Sequence, residues 1–271
     1  MYEEIIRLEG GSQGATSIIL AGVHGNEKCG IIAFKKLIPS LSIKRGEVIF
    51  AYGNPKAIEK NVRYTESNLN RLFKPEKELS EKERGSYEYA RAVLLKKYLD
   101  QASALLDIHA SLTPGSPRFA ICNEKGKTVV KSLPVSFIVS GFDEIQPGGT
   151  DYYMNRNGKI GICLECGYYE DAPSVGFAEK CIASFLIAQG NIDGETEVAD
   201  CPEIRMKSMY MTKSNHFLLK KRFKDFENVS SGQIIGIDGK QTITAEEDGV
   251  ILFARNRDKV GEEAFLFGQY K

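Results

Sequence analysis

The stretch Thr16-Ser-Ile-Ile-Leu-Ala-Gly-Val-His-Gly-Asn-Glu-Lys-Cys-Gly30 constrains the chain more than any other. Ser17 to Ala21 is a short apolar run, rich in β-branched residues and set between Gly14 and Gly22, and it reads as a buried strand. From Glu27 the apolar residues take up helical spacing, through Ile31, Ile32, Phe34, Leu37 and Ile38. Strand, Gly-flanked loop, helix is the repeating unit of open α/β sheets. Ligand sites in such sheets collect in loops at the carboxyl ends of strands. His24 and Glu27 lie three residues apart in that loop, where an imidazole and a carboxylate can converge on one ion. Alone, the pair reads more plainly as a polar loop, with Glu27 placed where its charge suits a helix start.

Further units follow. Glu47–Tyr52 is a second strand, succeeded by Gly53-Asn54-Pro55 and a polar stretch from Lys56 to Pro75, long for a loop without structure. Ser80-Glu81-Lys82-Glu83 is a capping box that should open one helix running to Leu99. Ala104–Ile108 is a buried strand ending at His109. Arg118–Cys122, Val135–Val139 and Ile160–Cys166 are further strands, and the last carries Glu165. Gly148-Gly149 precedes a short helix starting at Thr150-Asp151, and Ser174–Gln189 is an amphipathic closing helix. Beyond Pro202 only short strand-like runs separated by glycines remain. We therefore expect an α/β catalytic domain over residues 1–195 and a smaller all-β domain over 200–271, with the boundary near Asp193–Cys201.

Composition narrows the function. The 271 residues carry 36 basic and 36 acidic side chains, a balance that argues against a nucleic-acid or membrane-surface binder. No apolar run approaches membrane-spanning length. Met1-Tyr2-Glu3-Glu4 is followed by no basic and apolar leader, so a cytoplasmic location is expected, and the 6 irregularly spaced cysteines should be reduced thiols. Cys163 and Cys166 flank Glu165, but three positions apart on a strand they face opposite sides and cannot grip one metal. The basic run Lys220-Lys221-Arg222 is best read as a solvated strand edge.

Of the 3 histidines, two fall just past the ends of apolar strands of one expected sheet. His24, Glu27 and His109 make a His₂Glu set that leaves a fourth tetrahedral position open for water, the arrangement of catalytic zinc. His216 falls in the β region and is expected to be structural or at the surface. Asp107 beside His109 is either an ordinary buried carboxylate or a group orienting the ligand. Glu165, near the end of an apolar strand, is the candidate base, since an unpaired carboxylate there needs a reason. In the polar stretch, Arg63 can stabilise the oxyanion formed when water attacks a carbonyl. Arg71, with Asn70 beside it, can hold a carboxylate in fork geometry.

Taken together, Gly22-Val-His-Gly-Asn-Glu27, the stretch from Asn54 to Phe73, Leu106-Asp-Ile-His109 and Leu164-Glu-Cys-Gly167 resemble the succinylglutamate desuccinylase/aspartoacylase family, which belongs with the zinc carboxypeptidases. The resemblance covers about Thr16 to Gly167, with an all-β tail as in family members. It implies a mixed central sheet flanked by helices, one zinc held by His24, Glu27 and His109, and Glu165 as general base and acid. It further implies Arg63 as carbonyl polariser and Asn70 with Arg71 as the substrate-carboxylate clamp. Two positions depart from the pattern. Asn68 stands where the family usually has Asp. Arg156 is about a residue out of register with the arginine that in aspartoacylases holds a second carboxylate, and it is carried only as a candidate for that role.

The expected function is zinc-dependent hydrolysis of the amide of a small N-acyl amino acid, such as an N-acyl glutamate or aspartate. The alternatives are a zinc carboxypeptidase acting on peptides and a non-catalytic metal-binding protein of the same fold. The expected partner is a small molecule, with neither nucleic acid nor membrane, and a homo-oligomer stays open. The β tail is expected to roof the site.

Overall fold

The computed structural model describes residues 4–271, so the reading of a missing leader at Met1 to Glu4 lies almost wholly outside the described residues. In chain order the strands are β1 Ile5–Glu9, β2 Ser12–Ala21, β3 Arg45–Tyr52, β4 Ala104–Ser111, β5 Phe119–Cys122, β6 Phe137–Ser140, β7 Ile160–Tyr168, β8 Glu203–Met211, β9 Phe217–Leu219, β10 Glu227–Val229, β11 Ile234–Asp238, β12 Gln241–Thr244, β13 Gly249–Leu252 and β14 Glu263–Tyr270. The α-helices are α1 Lys28–Leu37, α2 Pro55–Lys60, α3 Glu81–Arg84, α4 Tyr87–Leu99, α5 Lys127–Val130, α6 Phe142–Ile145, α7 Thr150–Arg156 and α8 Pro173–Ala188.

A large mixed sheet runs in the order β1-β3-β2-β4-β7-β5-β6-β8-β14-β13-β10, and a small antiparallel sheet runs β12-β11-β9. The centre, β3, β2, β4 and β7, is parallel, so its carboxyl ends lie along one edge. All eight residues of β4 are buried, as expected of a parallel strand covered on both faces. Even-numbered positions such as Leu106 and Leu164 pack with Phe34 and Phe185 under α1 and α8. Odd-numbered Leu105 packs on the other face with Leu95 and Met154 of α4 and α7. That second face is apolar at Leu105 and turns polar toward the strand end, through Asp107, His109 and Ser111. The linker around residues 191–202 has no regular structure. After it, β8 pairs in parallel with β6, so the main sheet continues into the C-terminal segment. β1, β10 and β12 are strands beyond those expected from the sequence.

Two expectations are corrected. The polar stretch after Asn54 is not structureless: Asn54 Oδ1 accepts the Ala57 N–H, Pro55 occupies the first turn of α2, and Leu69–Arg71 forms a 3-10 turn. The helix from the capping box does not run unbroken to Leu99. It ends after Arg84, and Ser86 starts α4 anew by accepting the Tyr89 N–H. Cys163 and Cys166 pack into different cores, on opposite faces of β7 as alternation requires, and no disulfide forms among the described residues. Among them, too, no helix is long and apolar enough to cross a membrane.

Candidate metal centre and its cavity

Strand register assembles the centre. His109 of β4 stands directly beside Glu165 of β7, and Asp107 beside Cys163, so all four side chains leave the same face of the sheet. From the neighbouring β2, the loop after Ala21 turns back at Gly22, whose φ of +69° suits glycine. Gly25 then passes so close to α2 that a Cβ would lie 2.1 Å from the carbonyl carbon of Ala57, and only glycine fits there. This turn brings His24 and Glu27 over the end of β4.

The facing atoms converge. His24 Nδ1 lies 2.9 Å from Glu27 Oε1. His109 Nδ1 lies 3.0 Å from Glu27 Oε2 and 3.2 Å from His24 Nδ1. Bonds of 2.0–2.1 Å in a tetrahedron would space such donors by about 3.3 Å. The His24 tautomer is fixed from behind: Nε2 lies 3.0 Å from Asn68 Oδ1, an acceptor only, so Nε2 carries the proton and Nδ1 presents its lone pair. The amide at position 68 thus serves as acceptor without the negative charge of an Asp. On the far side of His109, Nε2 lies 3.1 Å from Asp107 Oδ2, close enough for charge but without hydrogen-bond geometry, so Asp107 stands behind the candidate ligand as its neighbouring charge.

The electrostatics also ask for a cation. Burial, together with the Arg63 charge, pushes His24 down to about 4, so it stays neutral at physiological pH. Burial opposes charge on His109 and on Glu27, yet Asp107 and Glu27 hold the His109 imidazole well above its usual range. The two imidazoles in turn hold Glu27 well below its own. The two carboxylates thus favour positive charge between them, and an ion bound there would take the place of a proton. These three residues are the group among the described residues that could hold a metal, and all three are buried.

The centre lies in a cavity of about 380 Å³ bordered by Arg63, Asn70, Arg71 and Glu165 as well. Arg63 Nη1 donates to Glu27 Oε1 at 2.8 Å. Glu165 is buried and its Oε2 has no hydrogen-bond partner among the described residues; burial, reinforced by the Glu27 charge, pushes it up to about 8. A carboxyl so placed can take and return a proton near neutral pH. The loop carrying Arg63, Asn70 and Arg71 hangs on Glu88 of α4. The Glu88 carboxylate accepts the Thr65 N–H at 2.7 Å, the Thr65 hydroxyl at 2.6 Å and the Ser67 N–H at 3.1 Å.

Two sequence candidates stand differently from expectation. Arg71 does line the cavity, but its fork is filled from within: Nε and Nη2 each lie 3.0 Å from a carboxylate oxygen of Glu263 on β14. Arg156 does not border the cavity. It is the last residue of α7, exposed, and donates to the Tyr152 hydroxyl at 2.8 Å. The preceding residue, Asn155, is the one turned toward Asp143.

Sequence reasoning missed much of the wall. Asp143 and Gln146 of the α6 segment, Asp151 of α7, and Arg255 and Glu263 of the C-terminal segment all border the cavity. Arg255 was within reach of the rule that found the histidines, since it follows the apolar run Gly249–Ala254 as His109 follows Ala104–Ile108. The C-terminal segment is tied to the centre by Asp225. Its carboxylate accepts the Ser111 hydroxyl at 2.7 Å, the Thr113 hydroxyl at 3.2 Å and the Phe253 N–H at 3.0 Å. His216 is exposed and away from the cavity.

Comparison with known proteins agrees with this geometry. The succinylglutamate desuccinylase of Pseudomonas putida is 33% identical over 99 residues, which are 35% of this chain and only 28% of that relative's length. The N-alpha-acetyl-L-2,4-diaminobutyric acid deacetylase of Halomonas elongata is 24% identical over 272 aligned positions, covering 90% of this chain and 78% of that protein. In fold, the succinylglutamate desuccinylase of Vibrio cholerae is similar with a TM-score of 0.83 at 17% identity, covering 98% of this chain and 85% of that one. The description "Succinylglutamate desuccinylase/Aspartoacylase catalytic domain" matches residues 13–183. That match takes in more than half of the chain and every residue of the metal centre, and the protein belongs to the succinylglutamate desuccinylase/aspartoacylase family.

Proposed function

We propose that the protein is a zinc-dependent deacylase that hydrolyses the amide of a small N-acyl amino acid. The observation that carries the reading is the buried, unpartnered Glu165 carboxyl in one cavity with the convergent His24, Glu27 and His109. An imidazole–imidazole–carboxylate donor set suits zinc with an open position, and a zinc ion there supplies Lewis acidity to the water and to the amide carbonyl. The chain's own groups do the rest. Glu165 accepts a proton from the attacking water as its oxygen bonds to the acyl carbon. Arg63, a donor already aimed at the centre, stabilises the negative charge that develops on the carbonyl oxygen. The carbon–nitrogen bond then breaks, and Glu165 returns the proton to the leaving amine. The products are a carboxylate and a free amino acid.

Recognition of the amino-acid carboxylate passes from the Asn70–Arg71 pair to Asn70 and Arg255. Arg71 is engaged by Glu263, whereas the Arg255 guanidinium makes no salt bridge among the described residues. Burial and the neighbouring Arg63 and Arg257 charges push Arg255 down to about 10, so it remains charged, and an anion beside it would be welcome. C-terminal residues Phe253, Arg255 and Glu263 border the same cavity, which supports that segment as the roof of a pocket for one acyl amino acid.

The test is a panel of N-acyl amino acids and peptides offered to zinc-loaded protein, with free amine as readout. We expect release from N-acyl amino acids and essentially none from tripeptides or longer. Efficient peptide cleavage would favour the carboxypeptidase reading, and no cleavage of any amide by metal-replete protein would favour a binding protein.

A further inference from the structure

The cavity has two poles of opposite charge. Near the centre stand Arg63, Arg255 and Arg257. Another wall is formed by Asp143 and Asp151, which border the same cavity. The poles do not neutralise each other. The charges that act most on Asp151 come from Asp143, Asp107 and His109, with no arginine among them. Those that act most on Arg255 come from Arg63, Arg257, Asp225 and Glu27, with neither Asp143 nor Asp151 among them.

Asp151 is 8% exposed, and among the described residues no side chain donates a hydrogen bond to it; the Tyr152 backbone N–H and, to a lesser degree, the His109 charge favour its ionised form. Asp143 receives the Asn155 amide at 3.0 Å and, among the described residues, no cation. A buried carboxylate without a cationic partner is costly. A place in the first turn of a helix normally favours the ionised form. Here burial and the Asp143 charge win instead, and the Asp151 carboxyl is pushed up to about 7, so helix capping does not account for it. The cations nearest this wall are engaged elsewhere: Arg71 is held by Glu263, Arg156 is exposed and outside the cavity lining with its guanidinium on the Tyr152 hydroxyl, and Arg205, in the smaller adjoining cavity, pairs with Glu144 at 2.8 Å. A second carboxylate on the substrate would meet only like charge there.

We infer that Asp151 and Asp143 receive a cationic group on the substrate side chain, so that the amino acid released is a diamino acid acylated on its α-nitrogen. This rests on the deacylase reading for the reaction, but the subsite itself does not. The α-carboxylate goes to the Arg255 pole and the side-chain ammonium to the Asp151 pole, with the acyl group over the metal centre.

The test uses binding and turnover together. Calorimetry measures the affinity of zinc-loaded and metal-free protein for 2,4-diaminobutyrate, ornithine and lysine, for glutamate and aspartate, and for the neutral isosteres norvaline and norleucine. The Nα-acetyl forms of the same compounds are assayed for amine release. We expect one of the diamino acids to bind at least about tenfold more tightly than its neutral isostere and than either dicarboxylic acid, as one buried charge pair allows. Asp151→Asn should lower the ratio of diamino-acid to isostere affinity by about tenfold or more. Asp143→Asn should lower it in the same direction by less, and it serves as the reporter if thermal unfolding shows Asp151→Asn to be misfolded. Tighter binding of glutamate or aspartate, or a ratio unchanged in the folded variants, overturns the inference. Asp151-dependent binding of a diamino acid with no amide cleaved would leave the subsite standing and remove the deacylase. Cleavage that favours N-acyl dicarboxylic acids would do the reverse.

Discussion

The metal-facing floor of the cavity and its outer wall are built on different principles. On the floor the charged groups answer one another at 2.9–3.2 Å, with His24, Glu27 and His109 in mutual contact. On the wall, Asp143, Asp151 and Arg255 border the same space without forming a salt bridge. The floor stands on adjacent parallel strands, where register alone sets His109 beside Glu165. The wall comes from short helices and the C-terminal strands, elements with few constraints on which side chain faces inward. On the proposed function, the difference teaches that the groups for the reaction stand on the sheet and those for the choice of substrate on the segments around it. His24, Glu27 and His109 satisfy one another, whereas Glu165, Asp151 and Arg255 are left open to a bound molecule.

The largest effect should come from breaking the floor. His109→Ala or His24→Ala should lose both the metal and turnover down to background, checked by metal analysis beside the amine assay. Glu165→Gln should keep the metal but lose about a hundred- to ten-thousand-fold in turnover, because the amide cannot accept the proton. Full metal occupancy in either histidine variant would remove that residue from the centre.

The next effect separates floor from wall by kinetics. Arg63→Ala should lower kcat by about a hundredfold, since its target charge exists only in the transition state. Arg255→Ala should act mainly through KM, by about tenfold or more, since the substrate carboxylate is present throughout. Reversed signatures would exchange the two roles.

A smaller effect tests whether Arg71 belongs to the wall or to the frame. If its pairing with Glu263 is the working state, Arg71→Ala and Glu263→Ala should each loosen the cavity and the double variant should be no worse than either. That amounts to a coupling of about 1–3 kcal/mol in a double-mutant cycle of unfolding free energies. Additive losses, or a KM that falls in Glu263→Ala, would instead show Glu263 shielding a fork meant for substrate.

The smallest effect concerns the frame alone. Glu88→Gln should cost about 1–3 kcal/mol of stability, since a buried acceptor of several N–H groups loses its charge. Although burial opposes its ionisation, the hydrogen bonds from Thr65, Asn54 and Ser67 hold Glu88 below the usual glutamate range. Its contribution is therefore present in full above the unfolded-state value of about 4.3 and is lost as pH falls through the lower folded value. The gap in unfolding midpoint between wild type and variant should close as pH drops below about 4. A gap that persists there would point to packing and not to charge.

What the sequence determined by itself was the local grammar around the centre. An apolar β-branched run fixes a strand, and placement at strand ends, together with the family resemblance, singled out His24, Glu27, His109 and Glu165 as candidates, which the fold brings to one cavity. Asn54-Pro55 and Ser86 carry local helix-start signals as well. Tertiary structure alone decided who meets whom over long range. Nothing local in Arg71 tells that Glu263, 192 positions away, fills its fork. Nothing in Thr150-Asp151 tells that the carboxylate is buried against the cavity and not solvated at a helix start, and nothing in Arg156 tells that it is exposed and outside the cavity lining. Periodicity reports which face of an element is buried. Which charge lies opposite depends on the crossing of chains far apart in sequence, and in this protein that crossing sets what the cavity can accept.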